Sequence, residues 1–305
     1  MKARHIVPEA LAKTIAGVYG DAAAPWIEKI GETIAECERR WNIEAGEPFP
    51  DLSFNFVLHA SSASGTPLVL KLGVPCPEIA CEMHALQAYN ASGAVRLVES
   101  APDIAALLLE QVVPGDTLWT IAGDAEATRI AASVMRQIRV SPPSGIPFPS
   151  VADWGRGFER MRKRFDGGSG PMPESIVSRA ESLFADLVSS SESPILLHGD
   201  LHHGNILRSN DGWLAIDPKG VIGEPAYEVG SFMRNWAAGT LSTPDPVAHF
   251  TRRLDIFADE LDLPRQRLRD WTFTQAVLSA WWCIEDGWTS GWKPTIELTE
   301  LAQHA

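Results

Sequence analysis

Residues 195–220 read Ile195-Leu-Leu-His-Gly-Asp-Leu-His-His-Gly-Asn-Ile-Leu-Arg-Ser-Asn-Asp-Gly-Trp-Leu-Ala-Ile-Asp-Pro-Lys-Gly220. An apolar run over 195–197 leads into a loop dense in His, Gly, Asp and Asn, and two further short apolar runs flank 209–212. The pattern predicts a strand, a polar loop and a hairpin, because Asp211-Gly212 accepts the positive φ values a tight turn demands. A hairpin folds the chain back on itself. It therefore brings Asp200 and Asn205, which precede its first arm, near Asp217 at the end of its second. Three oxygen-bearing side chains converging there suit a hard cation, since magnesium takes oxygen ligands and shares them with phosphates.

The spacing narrows the chemistry further. Asp200 is followed five positions later by Asn205, with another Asp beyond the hairpin, which is the D-x-x-x-x-N and metal-binding Asp of kinase-type phosphoryl transfer. On His198-Gly-Asp-Leu-His-His-Gly-Asn205 and Ile216-Asp-Pro-Lys-Gly220, with supporting pattern from about residue 50 to 290, the chain resembles the aminoglycoside phosphotransferases. These are small-molecule relatives of protein kinases, and the likeness is greatest to the streptomycin 6-kinase and hydroxyurea kinase branch.

The resemblance implies an α+β, two-lobed protein-kinase-like fold. A small N-terminal lobe over 1–111, with an antiparallel sheet and a helical extension over 1–47, would bind nucleotide. A larger, mainly helical lobe over 112–305 would carry catalysis and the acceptor. It also implies transfer of the γ-phosphate of ATP, with Mg2+, to a hydroxyl of a small molecule, an aminoglycoside of the streptomycin type. Asp200 would accept or orient the hydroxyl proton, and Asn205 and Asp217 would hold the magnesium. Gly199 stands where protein kinases carry the arginine that reads a phosphorylated activation loop, Asp217-Pro-Lys replaces D-F-G, and no A-P-E follows. A protein acceptor is therefore disfavoured. His203 occupies a position where the resemblance leads one to expect proline, and Lys219 adds a charge beside Asp217.

Upstream of this loop the sequence alternates between helix and strand signals. Glu9 onward predicts a helix with Leu11, Ile15 and Val18 on one face, and Trp26, Ile30, Ile34, Cys37 and Trp41 form the stripe of a second, stopped by Gly46 and Pro48. From Leu52 to Leu72 the period changes to two, with Leu52, Phe54, Phe56 and Leu58 on one face and Leu68-Val-Leu-Lys-Leu72 as the returning strand. The small-residue turn over 60–66 could lie over phosphates, although a plain hairpin turn explains it equally well. Lys71 sits among apolar neighbours, as the strand-three lysine of kinases does, and a glutamate on the following helix would pair with it and orient it towards the α and β phosphates. Glu82, beside Met83, is the choice, with Glu78 one turn earlier as its rival. Strands over 95–98 and 104–109 complete the sheet. They end at Glu110-Gln-Val-Val-Pro-Gly-Asp116, where the resemblance implies a hinge whose backbone at Glu110, Gln111 and Val112 contacts adenine.

Beyond the hinge the chain reads as mostly helical. Asp124 can cap a helix bearing Ile130, Val134 and Ile138, and the proline tract over 141–149 is a loop. Helices follow near 151–165, 173–190, from Ala226, over 247–261 and from Pro264 to about Gly287. The last region holds Trp271, Trp281, Trp282, Trp288 and Trp292 beside Glu285 and Asp286. Helically spaced Trp is usually core, but aromatic walls with carboxylates also suit a guanidinium or ammonium acceptor, so Glu285 and Asp286 are candidate acceptor contacts.

Whole-chain properties bound these readings. The 305 residues favour two lobes, and 45% hydrophobic content with 11 Trp supplies ample core. A net charge of −13 disfavours nucleic acid and anionic membrane as partners and is compatible with a cationic acceptor. Four cysteines without C-x-x-C spacing, no apolar leader and no run of membrane-spanning length predict a cytoplasmic protein with reduced thiols. The rival readings are a kinase of choline, methylthioribose, a fructosamine or hydroxyurea, a non-catalytic nucleotide-binding module, and a metal hydrolase built on His198, His202 and His203.

Overall fold

The computed structural model describes residues 6–50, 52–287 and 291–305, and the chain divides into two compact units, 1–115 and 116–305. In the first unit α1 (Glu9–Tyr19) and α2 (Ala23–Trp41) precede β1 (Ile43–Pro48), β2 (Phe56–Ser62), β3 (Pro67–Leu72), α3 (Pro77–Tyr89), β4 (Leu97–Ala101) and β5 (Ala106–Glu110). The strands form one sheet in the order β1-β2-β3-β5-β4, with every neighbouring pair antiparallel.

The period-two pattern decides what each face of this sheet does. Phe56, Leu58, Ala60, Leu68, Leu70, Leu72, Ala106 and Leu108 share one core with Leu11, Ile15, Trp26, Ile30, Ile34 and Cys37 of the two N-terminal helices. Lys71 is odd in that alternation, lies between Val57 and Leu107 in register, and so belongs to the opposite face. Three sequence expectations change here. Val18 is exposed, so α1 buries only Leu11 and Ile15. Asn42 in the left-handed conformation ends α2, and the residues from Ile43 to Pro48 form an edge strand rather than a stop. The β2 strand begins at Phe56, leaving Leu52 outside it and Phe54 exposed.

In the second unit, β6 (Pro114–Thr117) carries the division between the units. It is followed by α4 (Asp124–Gln137), α5 (Val151–Arg164), α6 (Glu174–Ser189), β7 (Ile195–Leu197), β8 (Ile206–Ser209), β9 (Gly212–Ala215), β10 (Val221–Gly223), α7 (Pro225–Arg234), α8 (Ala237–Leu241), α9 (Pro246–Leu261), α10 (Arg265–Glu285) and α11 (Lys293–His304). The α10 helix is buried on all sides from Trp271 to Trp281 and is the centre of the unit. Trp271 and Trp281 are accordingly core, and the indole N–H of Trp271 donates to Glu224. Asp124 does not cap α4. Its carboxylate accepts from the fully buried Arg253 and lies 3.1 Å from His249 Nε2. Trp288 lies outside the described residues. Among the described residues no helix is long and apolar enough to cross a membrane.

Candidate active site

The hairpin predicted over 206–216 forms as β8 and β9, paired from Ile206 with Ala215 to Ser209 with Gly212. A strand the sequence did not announce, β10, pairs antiparallel with β7, Val221 opposite Leu197. The loop before the hairpin and the segment after it are thus tied together by backbone. Lys219 N–H donates to His198 O at 2.7 Å and Ile216 N–H to Asn205 O at 2.9 Å.

His198 bolts the two segments. It is fully buried, its Nε2 lies 2.8 Å from Ile216 O, and its Nδ1 accepts the Asp200 N–H at 3.2 Å. A carbonyl only accepts and an amide N–H only donates, so the ring is neutral with its proton on Nε2. Burial agrees, lowering its pKa to about 4. Asn205 is oriented by the same logic. Its Nδ2 donates to Asp200 O at 3.0 Å, which assigns Oδ1 as the acceptor end of the amide. Asp217 sits at φ +60°, a left-handed conformation that Asp tolerates better than most residues.

The loop is gripped by one face of α7. Glu228, buried at 4% exposure, accepts the His198 N–H at 2.7 Å and the Gly199 N–H at 3.1 Å. One turn on, Ser231 donates to Gly199 O at 2.9 Å. At the end of the helix, Arg234 Nη2 and Asn235 Nδ2 both donate to Asp200 Oδ1, at 3.1 and 3.2 Å. Burial pushes the Asp200 carboxyl up, but Arg234 and, more weakly, His202 and Lys219 bring it below its ordinary value. Arg234 is itself held by Gln275 and Ser279 and lies over the Trp282 ring at 5.7 Å. None of Glu228, Ser231, Arg234 or Asn235 was picked out from sequence.

The three histidines are not arranged as metal ligands. Both nitrogens of His198 are engaged, His202 Nδ1 accepts the Gly204 N–H at 3.0 Å, and His203 is buried between Trp119 and Phe232, each ring centre 4.2 Å away. Among the described residues no group of three or more His, Cys, Asp and Glu could hold a metal. The oxygens of Asn205 and Asp217 fit magnesium instead, which is content with one or two protein ligands when phosphates supply the rest.

In the first unit, Lys71 Nζ meets Glu82 Oε1 at 2.6 Å, both groups buried. Glu78 is exposed and does not take that place. The turn over 62–66 uses its own donors: Gly65 N–H goes to Ser62 O, Thr66 N–H to Ser62 Oγ, and Ser62 N–H to Thr66 O. At the end of β5, the Glu110 N–H donates to Arg96 O and the Gln111 N–H to Pro67 O, whereas the Val112 N–H has no partner among the described residues. In the second unit, Glu285 gives both oxygens to Arg160, at 2.7 and 2.9 Å, and Asp286 is exposed beside it.

The architecture recurs in solved kinases. A thermostable mutant of an aminoglycoside phosphotransferase, solved as a ternary complex with ADP and hygromycin B, superposes with a TM-score of 0.62 at 14% identity, covering 89% of this chain and 96% of that one. The fold is therefore protein-kinase-like, of the α+β class. Over residues 40–287 the sequence matches the aminoglycoside/hydroxyurea antibiotic resistance kinase family, and the chain belongs to that family. Among its relatives are the streptomycin 6-kinase of Streptomyces glaucescens, 29% identical over 92% of both chains, and the hydroxyurea phosphotransferase of Kitasatospora aureofaciens, 31% identical over 88% of this chain and 78% of that one. The protein is a phosphotransferase with a hydroxyl acceptor.

Proposed function

We propose that the protein transfers the γ-phosphoryl group of ATP to a hydroxyl of a small cationic antibiotic of the streptomycin type. The observation that carries this reading is the loop in which Asp200 is held ionised by Arg234 while Asn205 presents Oδ1. Asp200 takes the proton of the acceptor hydroxyl as its oxygen attacks phosphorus. Asn205 and Asp217 hold magnesium, which when bound neutralises charge on the phosphates. In the first unit, Lys71, kept extended by Glu82, binds the α and β phosphates, and the backbone of 110–112, through the Val112 N–H above all, meets adenine. Because Glu285 is already matched by Arg160, Asp286 is the better of the two carboxylates for an acceptor cation. The names of the streptomycin 6-kinases support the acceptor, and the ADP complex of the solved relative supports the nucleotide. Hydroxyurea is the second acceptor to consider, given the Kitasatospora relative.

The test is ADP release from ATP and magnesium with streptomycin, other aminoglycosides, hydroxyurea and choline, run beside Asp200→Ala. Streptomycin-dependent release that falls at least ~1,000-fold in the variant is the expected result. Release with choline alone would replace the acceptor, and an unaltered variant would remove the base.

A further inference from the structure

The two oxygens of Asp200 face different chemistry. Both hydrogen bonds to its carboxylate among the described residues fall on Oδ1, so Oδ2 is the oxygen left to receive a proton. Facing Oδ2 at 3.9 Å stands Nε2 of His202, too far for a direct hydrogen bond. The tautomer of that ring is fixed. Its Nδ1 accepts the Gly204 N–H at 3.0 Å, so the lone pair lies there and the ring proton on Nε2. Its orientation is fixed as well. A Cβ at residue 204 would stand 3.0 Å from His202 Cε1 and 3.2 Å from Nδ1, so the imidazole packs closely against the backbone there. A fixed acceptor and a fixed donor thus face each other across a gap that one oxygen atom, about 2.8 Å from each, can bridge.

Taking Asp200 as the base, we propose that His202 contacts the acceptor, and that Asp200 Oδ2 and His202 Nε2–H form a two-point clamp that admits a hydroxyl and refuses an ammonium. A hydroxyl donates its one proton to Oδ2, accepts from Nε2–H with one lone pair and attacks phosphorus with the other. As the new O–P bond forms and the bond from the γ-phosphorus to the oxygen of ADP breaks, the hydroxyl proton passes to Oδ2. His202 keeps its proton throughout. An ammonium has no lone pair, so it leaves Nε2–H without an acceptor and brings its charge towards Arg234. An acceptor carrying both groups makes such discrimination necessary, because charge alone would draw the ammonium to Asp200.

The experiment uses the full chain with ATP, magnesium and streptomycin, and cyclohexylammonium as inhibitor. His202→Leu should raise the KM for streptomycin about tenfold, leave the KM for ATP within about twofold, and make cyclohexylammonium a stronger inhibitor competitive with streptomycin. His202→Gln, which can still donate, should recover part of each change. Unchanged streptomycin KM and unchanged inhibition in folded His202→Leu overturn the clamp, and if that variant does not fold, the same two values in His202→Ala, which likewise cannot donate, decide. Full turnover by Asp200→Asn would instead remove the base reading, and the clamp with it.

Discussion

The two charged centres are built on opposite plans. In the first unit Lys71 and Glu82 answer each other, one cation and one carboxylate across a strand and a helix, both buried. In the second unit Asp200 is answered by many: Arg234 and Asn235 on one oxygen, Glu228 and Ser231 on the backbone before it, His198 beneath it. A buried ion pair is vulnerable at either end, because removing one partner takes a close counter-charge from the other. A distributed grip loses one contact at a time.

Breaking the pair should have the largest effect on stability. Lys71→Met takes from buried Glu82 the cation that lies 2.6 Å away and should cost about 3–5 kcal/mol in urea denaturation, whereas Lys71→Met with Glu82→Leu should regain most of that while turnover stays lost. Equal stability of the single and double variants would show that the pair is not the reciprocal unit the geometry describes.

Glu228 is the strongest finger of the distributed grip. Burial pushes its carboxyl up to about 7, against an ordinary 4.5, with the His198 and Gly199 amides pulling the other way. The folded chain therefore holds this proton more tightly than the unfolded chain. Its contribution to stability is fully present below about pH 4.5 and is lost as pH rises to about 7, a change on the order of 3 kcal/mol. Glu228→Gln should flatten that dependence in denaturation series at pH 5 and 8, and should lower turnover by loosening the loop. A slope that survives the substitution assigns the titration to another group.

The smallest effect sharpens the comparison most. Arg234→Met removes the main cation opposing the burial of Asp200, so the Asp200 pKa should rise and the acidic limb of the kcat/KM profile should move to higher pH, with stability changed far less than in the pair. An unmoved limb would mean that Arg234 only packs.

The parts legible in the sequence are those whose signal is local. The α2 stripe repeats at helical spacing, the β8–β9 turn is written in Asp211-Gly212, and Asp200, Asn205 and Asp217 lie within one short stretch. The β1 strand was missed because its Gly46 and Pro48 read as a stop, whereas its pairing with β2 supplies the burial of Ile43 and Ala45. Glu228 lies in the first turn of α7, where an acid is favoured whatever its role; its partners lie about 30 positions upstream. The signal for it was present all the same, since Glu228, Ser231, Arg234 and Asn235 recur at steps of three and four and mark a polar face on an otherwise buried helix. The partner of Glu285 was equally out of reach of a local reading, Arg160 being 125 positions away.

Gly199 closes off one kind of history. Its φ is +83°, and a Cβ there would stand 2.7 Å from Trp154 Cη2 and 2.9 Å from Val221 Cγ1. An arginine at that place, the residue through which protein kinases sense a phosphorylated loop, would need the backbone turned and two neighbours replaced at once. No single substitution leads from this loop to one switched through that position, so such control is out of evolutionary reach in one step. The loop takes its order instead from contacts within the folded chain, Glu228 and Ser231 of α7 on its backbone and Arg234 on Asp200.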